Sequence, residues 1–120
     1  MRRASIYLPF PVPLHACFIK SKGGSGIPSK RYKAFGVEAA GMILAQGAPK
    51  VSGPVSVKIH LCAPDRRKRD GDNLLKCLFD TLTTNGVIED DNNQIVRRFS
   101  VEWTEATAPC RVEIHAEEVA

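Results

Sequence analysis

The stretch Asn73–Thr84, which reads NLLKCLFDTLTT, decides the fold because it predicts an amphipathic α-helix. Its large apolar residues recur at spacings of three and four, so they form one continuous stripe along the helix. These residues are Leu74, Leu75, Leu78, Phe79 and Leu82. Asn85 and Gly86 follow at once and predict the C-terminal cap. A helix with one apolar face needs a second layer of structure to cover it.

The sequence on either side of this helix supplies that layer as strands. Val55–Cys62 alternates apolar and polar residues and predicts a strand with one buried face. Ala4–Phe10 alternates in the same way before a group of prolines ends it. Ile95–Trp103 and Arg111–Ala116 predict two further strands, separated by turn residues around Pro109. The helix therefore packs against a sheet of about four strands.

A second helix is predicted over Tyr32–Gln46, and Gly47 supplies its stop signal. Its apolar residues with helical spacing are Phe35, Ala39, Met42 and Ile43. The predicted order is strand, helix, strand, helix, strand, strand. This order and the length of 120 residues predict one α/β (α+β) domain over residues 1–120, with two helices on a small mixed sheet.

The charge of the chain is concentrated in one place. Seventeen Lys and Arg against thirteen Asp and Glu give a formal charge of +4. Arg66, Arg67, Lys68 and Arg69 form an uninterrupted basic run. Such a run attracts polyanions, phosphate above all, although an isolated run is also compatible with a solvated loop.

Acidic residues lie beside this basic run and in the turn beyond the helix. Asp70 and Asp72 are two residues apart, so in extended backbone they point to the same side. Asp72 also stands where a helix N-cap belongs, which is the structural alternative for that residue. Asp91 belongs to the acidic segment Glu89–Asn93, which alone is compatible with an ordinary turn. The short connection after the helix allows Asp91 to return toward the other two.

Three carboxylates at one place repel each other unless a proton or a cation lies among them. Oxygen ligands select hard cations, so we expect Mg²⁺, with Mn²⁺ as a substitute. Bound Mg²⁺ activates a water and stabilises charge on a phosphodiester. The basic run would hold the phosphates on either side.

Lys76 lies one helical turn after Asp72. It predicts either a fixed positive charge near the reacting phosphate or an ordinary ion pair on the helix surface. Asp80, a further turn along, is interpreted as a helix-surface charge. The segment Pro11–Lys30 is predicted to be an exposed loop that contacts DNA, or else simply disordered.

The remaining composition excludes several classes of protein. The four cysteines form no CxxC pair, so a zinc knuckle is not expected. Cys62, Cys77 and Cys110 lie in apolar patterns and are predicted to be reduced core residues. The three histidines are scattered and are interpreted as structural. No apolar run reaches the length of a membrane span, and no secretory signal is recognised, so we expect an intracellular, cytoplasmic protein.

The combined pattern resembles the RusA family of Holliday junction resolvases, which are bacterial and phage-type endonucleases. The resemblance is strong from Pro64 to Val96 and weak from Pro11 to Gly53. The matching segments are PDRRKRDGDNLLK at Pro64–Lys76, FDTL at Phe79–Leu82, EDD at Glu89–Asp91 and SIYLP at Ser5–Pro9.

The resemblance implies a Mg²⁺-dependent endodeoxyribonuclease that acts in DNA recombination and repair. It implies a homodimer that binds four-way or branched DNA and makes paired nicks in strands of like polarity. Each nick would leave a 3′-hydroxyl and a 5′-phosphate. By position, the metal ligands would be Asp70, Asp72 and Asp91, with Lys76 as the catalytic lysine. The basic run would contact DNA, and Asp90 would have a supporting role.

Two departures from the family pattern bear on activity. Pro13–Cys17 reads PLHAC where the family often carries a polar segment with Asn, so a DNA contact there is expected to differ. Gly71 stands where a bulkier residue is common, which raises the expectation of a looser site with reduced activity.

Three alternatives stay open at this point. The first is a non-catalytic module that binds nucleic acid. The second is a structural protein that assembles through its sheet edge and binds no DNA. The third is a nuclease that cuts branched DNA more broadly.

Overall fold

The computed structural model describes residues 1–20, 23–24 and 26–117, and its centre is a four-stranded mixed sheet. The strands are β1 (Arg3–Leu8), β2 (Phe18–Lys20), β3 (Gly26–Pro28), β4 (Val55–Leu61), β5 (Val96–Trp103) and β6 (Cys110–Ala116). The helices are α1 (Leu14–Cys17), α2 (Lys30–Ala45) and α3 (Leu75–Thr84), and a 3₁₀ turn at Gly71–Leu74 leads into α3. The predicted α/β class with a mixed sheet is confirmed.

The central sheet has the order β1-β6-β4-β5. The last strand of the chain, β6, lies inside the sheet and pairs antiparallel with both β1 and β4. β4 and β5 are parallel, and the long connection between them contains α3. β1 and β5 are therefore the two edges of this sheet.

One face of the sheet is apolar and carries the helices. Ile59 of β4 and Ile114 of β6 are fully buried there, together with Leu78 and Leu82 of α3. Burying these side chains supplies the main driving force for folding, at roughly 1.5–3 kcal/mol for each large aliphatic side chain. The opposite face is polar. This arrangement confirms the alternation that predicted a strand with one buried face.

The two predicted helices are confirmed with small shifts at their ends. α2 begins after Ser29, whose hydroxyl oxygen accepts a hydrogen bond from the Tyr32 N–H at 3.1 Å. That cap satisfies one of the unpaired N–H groups of the first turn. α3 ends at Thr84 with Asn85 as its cap, and Gly86 follows with a φ of 71°, in agreement with the predicted cap.

The prediction that Pro11–Lys30 is an exposed loop is wrong in part. Val12 and Cys17 are buried, and the Val12 N–H donates to the Cys77 Sγ at 3.4 Å. The segment forms α1 and the β2–β3 hairpin instead. Elements of three or four residues show no periodicity, so the sequence pattern could not reveal them. The predicted loop residues Ser21, Lys22 and Ser25 lie outside the described residues.

The four cysteines of the chain are free thiols. Cys77 and Cys110 are free and fully buried, as predicted, and Cys62 is half-buried. Burial raises the pKa of the Cys77 and Cys110 thiols to about 12, so both stay protonated at neutral pH.

Among the described residues, no helix is both long and apolar enough to cross a lipid bilayer.

Candidate nuclease site

The basic run Arg66–Arg69 lies in the connection between β4 and the 3₁₀ turn, and Asp65 organises it. The Asp65 carboxylate accepts from Arg67 at 3.0 Å and from Arg69 at 2.9 Å. The hydrogen bond from Arg67 holds the pKa of Asp65 well below its usual range. Arg67 and Arg69 are thus held in place by Asp65, whereas side chains of a freely solvated loop would have no fixed partner.

Arg69 is held from a second side by aromatic rings. Its guanidinium lies 5.5 Å from the centre of the Phe10 ring, and Phe10 stacks on Trp103 with ring centres 6.4 Å apart. A cation over an aromatic face gains about 0.5–1 kcal/mol at exposed sites. Arg66 and Lys68 differ from this pair, because in the described part of the chain neither side chain makes an ion pair or a hydrogen bond. Their charges are available for an external anion.

A basic cavity of about 350 Å³ opens beside this run. His15 of α1 and Arg31 of α2 line it together with Lys68 and Asp70. Neither His15 nor Arg31 was predicted as a site residue from the sequence. Arg31 lies 35 or more positions before the basic run, so only the fold brings it there. The one signal in the sequence was the altered segment at 13–17, which contains His15.

Asp70 lies just before the 3₁₀ turn and Asp72 lies within it, and both residues are exposed. Asp70 occupies the cap position, yet its side chain makes no capping hydrogen bond. The helix α3 begins only at Leu75, so the alternative that Asp72 caps the predicted helix is wrong. Within the described residues, neither carboxylate takes part in an ion pair or a hydrogen bond. Both are therefore open to a ligand.

Gly71, between the two acids, packs against strand β5. A Cβ atom added there would lie 3.7 Å from the Val101 Cγ1 and 3.9 Å from the Trp103 Nε1. These are ordinary van der Waals separations. A small side chain therefore fits at Gly71, and the strand limits how far the turn can move.

Lys76 lies in the first turn of α3 and is held by Asp80. The Lys76 Nζ lies 3.0 Å from the Asp80 Oδ1, and the Tyr32 hydroxyl donates to the Asp80 Oδ2 at 3.3 Å. The hydrogen bond to Asp80 raises the pKa of Lys76, and the charge of Asp91 acts in the same direction. Burial and the charge of Asp80 raise the pKa of Tyr32, which stays a hydrogen-bond donor. Asp80 thus does more than the helix-surface charge expected from the sequence.

Asp91 lies on the same groove as Lys76, whereas the short connection after α3 was expected to bring it toward Asp70 and Asp72. The groove has a volume of about 340 Å³, and Phe79 and Phe99 form its apolar side. Buried Val87 fixes the returning chain, because its carbonyl accepts from the Val51 N–H at 2.9 Å.

Asp90 shapes the turn that presents Asp91. Its Oδ1 accepts from the Asp91 N–H at 2.7 Å, and its Oδ2 accepts from the Asn92 side chain at 3.1 Å. Glu89 anchors the start of the same turn, since its carboxylate accepts from the Gly53 N–H at 2.8 Å. The supporting role expected for Asp90 is consistent with these bonds.

The basic cavity and the groove of Asp91 both border the start of α3, and the three acids form no closed cluster in the described residues. Leu74 lines the basic cavity and Leu75, the next residue, lines the groove of Asp91 and Lys76. In the part of the chain that the structure describes, no three Asp, Glu, His or Cys residues lie close enough to hold a metal ion.

Comparison with known proteins gives one consistent result. The family model described as endodeoxyribonuclease RusA matches residues 9–117. A crossover junction endodeoxyribonuclease RusA of Aquifex aeolicus (strain VF5) is 36% identical over 94 residues, which cover 77% of this chain and 75% of that protein. The protein of that name from Escherichia coli (strain K12) is 35% identical over 92 residues, or 76% of each chain.

A shorter match is closer in sequence. The crossover junction endodeoxyribonuclease of Enterobacteria phage 82 is 53% identical over 38 residues, which are 32% of each chain. The family match extends over most of the chain and includes the basic run, the 3₁₀ turn, Lys76 and Asp91. The chain belongs to the RusA family of endodeoxyribonucleases.

Proposed function

We propose that this protein is a Holliday junction resolvase, which binds four-way DNA as a dimer and makes paired, symmetric, Mg²⁺-dependent nicks in recombination and repair. The observation that carries the proposal is that a basic cavity lined by Asp70 and the groove of Lys76 and Asp91 both border the start of α3, at Leu74 and Leu75. The relatives' names, crossover junction endodeoxyribonuclease, support the substrate.

DNA binding is assigned to Arg66, Arg67, Lys68 and Arg69. Asp65 and Phe10 hold two of these side chains in place, while Arg66 and Lys68 project their charge outward. Arg forks match phosphate oxygens in a fixed geometry, and fixed side chains lose less entropy on binding. His15 and Arg31 extend the same basic surface from the other side of the cavity.

The chemistry of the acids fits Mg²⁺. Asp70, Asp72 and Asp91 offer only oxygen donors, and their exposure leaves room for the waters that Mg²⁺ retains. We assign these three residues to the ion, with Mn²⁺ as a substitute, because a cation among them would relieve the mutual repulsion of their charges. When bound, such an ion activates a water and stabilises negative charge on the phosphodiester.

Lys76 supplies a positive charge that does not depend on the ion. Its ammonium group is held by Asp80, and a raised pKa keeps it protonated at neutral pH. A preorganised charge stabilises the developing charge of a transition state better than a mobile one. Asp90 keeps Asp91 in its turn, and Asp80 keeps Lys76 in its groove.

The test is cleavage of a labelled synthetic four-way junction beside a linear duplex of the same arm sequence, in Mg²⁺ and in EDTA. Nicks confined to the junction and to Mg²⁺ would support the proposal. Tight junction binding without cleavage in Mg²⁺ or Mn²⁺ would contradict it and favour a non-catalytic DNA-binding module. Equal cleavage of three-way and flapped substrates would favour the broader branched-DNA nuclease.

A further inference from the structure

Trp103, the last residue of β5, lies beside the turn that carries two of the three acids. A Cβ atom added to Gly71, the residue between Asp70 and Asp72, would lie 3.9 Å from the Trp103 Nε1 and 4.0 Å from the Trp103 Cζ2. The edge of the indole ring is therefore within contact range of this turn. A flat group that rests on the indole ring would lie next to the acids to which we assign the chemistry.

The indole ring is unusually open for its place in the sheet. Trp103 is paired with Leu61 of β4, so its side chain belongs to the face that carries the helices. Leu61 is fully buried, whereas Trp103 is 46% exposed. Among the described residues, Phe10 is the one aromatic side chain that stacks on the indole ring. A large apolar ring left this open is typical of a binding surface.

Phe10 connects this open ring to the basic run. The planes of the Phe10 and Trp103 rings differ by 28°, with ring centres 6.4 Å apart. The Arg69 guanidinium lies 5.5 Å from the centre of the Phe10 ring, and Asp65 holds the same guanidinium at 2.9 Å. The order in the stack is Arg69, Phe10, Trp103. The indole ring is therefore the open end of a stack that begins in the basic run.

The flat group that fits an open aromatic face beside a basic run is a nucleobase. Every base has a π-face, so stacking on an aromatic side chain accepts any sequence. Arg66 and Lys68, exposed residues of the same run as Arg69, would attract the phosphates of the strand that carries the base. Inside a linear duplex each base is covered by its neighbours on both sides, whereas a branch point interrupts this stacking.

From these observations we propose that Trp103 stacks on an exposed nucleobase at the branch point of DNA, and so holds the adjoining phosphate beside Asp70 and Asp72. This inference deepens the proposed junction nuclease and rests on it. It makes Trp103 a substrate-binding residue that takes no part in holding the ion. It also gives a physical basis for preferring branched DNA, since a fully paired duplex has no free base face along its length.

The test reads the fluorescence emission of Trp103 itself, because the chain contains one tryptophan. The full wild-type chain is saturated with a synthetic four-way junction in EDTA, so that Mg²⁺-dependent cleavage is prevented. Linear duplexes built from the same arms, in amounts that give an equal number of DNA ends, are the comparison. A base stacked on the indole ring quenches its emission. We expect quenching by the junction and little by the duplexes, whereas equal quenching by both, or none at saturation, would overturn the inference.

Substitutions separate base stacking from a purely structural role of the ring. Trp103→Leu is expected to weaken junction binding by about tenfold with duplex binding unchanged, because one base–aromatic stack is lost. Trp103→Tyr keeps an aromatic face and should restore most of the junction affinity. A ring that only supported Phe10 and Arg69 would behave differently, since its loss would weaken the binding of junctions and duplexes alike. That result would overturn the inference.

Tyr7→Leu is the matched control. Tyr7 is 47% exposed, and it lies on the opposite face of the sheet because its neighbours Ile6 and Leu8 are buried. The variant thus removes an aromatic ring of similar exposure that is away from the acids. It should leave the binding of both DNAs unchanged. A selective loss of junction binding in Tyr7→Leu as large as that in Trp103→Leu would overturn the inference.

The same samples separate this inference from the proposed function. If the wild type cuts junctions in Mg²⁺ while a saturating junction leaves its emission unchanged, the stack is wrong and the resolvase stands. If the junction quenches the emission while no branched DNA is cut in any divalent ion, the stack stands and the resolvase is wrong.

Discussion

The Lys76 Nζ lies 3.0 Å from the Asp80 Oδ1, and the Tyr32 hydroxyl holds the other oxygen of the same carboxylate at 3.3 Å. An ordinary exposed pair at this helical spacing contributes only about 0.3–0.5 kcal/mol to stability. The third partner is Tyr32, which belongs to α2. Its hydrogen bond to Asp80 lets α2 fix the direction in which α3 presents Lys76. The relationship makes Asp80 a positioning residue for the charge beside Asp91.

Asp80→Asn is expected to lower kcat by about tenfold at neutral pH with little change in junction affinity, because the lysine loses its fixed position. The pH dependence gives the sharper readout. Asp80 raises the pKa of Lys76, so the variant should lose activity at a lower pH than the wild type on the alkaline side. Tyr32→Phe keeps the charge of Asp80 and should shift this limb less. An unchanged pH profile in Asp80→Asn would contradict the role.

Asp72→Asn is expected to bind four-way junctions like the wild type while its cleavage rate falls by about a hundredfold or more, since a metal ligand is lost. Calorimetry with Mg²⁺ alone should show weaker binding by the variant, which gives a readout separate from activity. Glu105→Gln, an exposed acid in the loop after β5, is the control. Wild-type cleavage by Asp72→Asn would remove Asp72 from the site.

Asp72→Ala tests the same residue as a possible cap. A lost N-cap costs typically about 1 kcal/mol of stability. Asp72 lies inside the 3₁₀ turn. Asp70 stands at the cap position of that turn, and its side chain makes no capping hydrogen bond. We therefore expect urea unfolding of Asp72→Ala to match the wild type or to show slightly higher stability through relief of repulsion with Asp70. A loss of about 1 kcal/mol would support the capping role instead.

Lys68→Ala is expected to weaken binding to every DNA sequence alike, because phosphate contacts carry no direct base information. The slope of log affinity against log salt should fall by about one for each phosphate contact removed. Arg67→Ala should do the same and also release Asp65 from its main partner. Lys58→Ala, on the polar face of the sheet, is the control. Weaker binding at one cutting sequence only would indicate base recognition by the run.

Gly71→Ala tests the effect of the small residue between the two acids. The added methyl group meets Val101 and Trp103 at ordinary contact distances, and the φ of Gly71 is not positive. We expect a gain of about 0.4–1 kcal/mol in unfolding free energy, through a less flexible unfolded chain, with unchanged cleavage. Faster cleavage in the variant would show that glycine does loosen the site.

The elements that the sequence predicted are those whose signal is local. α3 and β4 were found because their apolar residues repeat with the period of a helix or a strand. The short helix α1 and the β2–β3 hairpin were missed, since elements of three or four residues contain no repeat. The central place of β6 is a property of strand pairing, which a pattern along one strand does not contain.

Some residues of the candidate site could likewise be predicted from the sequence, and others could not. From the sequence, the short connection after α3 was expected to return Asp91 toward Asp70 and Asp72. In the structure, Asp91 lies on the groove of Lys76. Arg31 and the Tyr32–Asp80 contact could not be predicted, because they join segments 35 or more residues apart through the packing of α2. The assignment of all three acids to one ion stays a prediction, since they form no group of three in the described residues.

The most direct measurement uses a supercoiled plasmid that extrudes one four-way junction from an inverted repeat. Paired nicks made within the lifetime of one complex convert this plasmid to a linear product, whereas unpaired nicks give a nicked circle. With wild-type protein and Mg²⁺, we predict linear product from the start of the reaction, and none with EDTA or with Asp72→Asn. Nicked circle alone, or equal cleavage of a plasmid without the repeat, would contradict it.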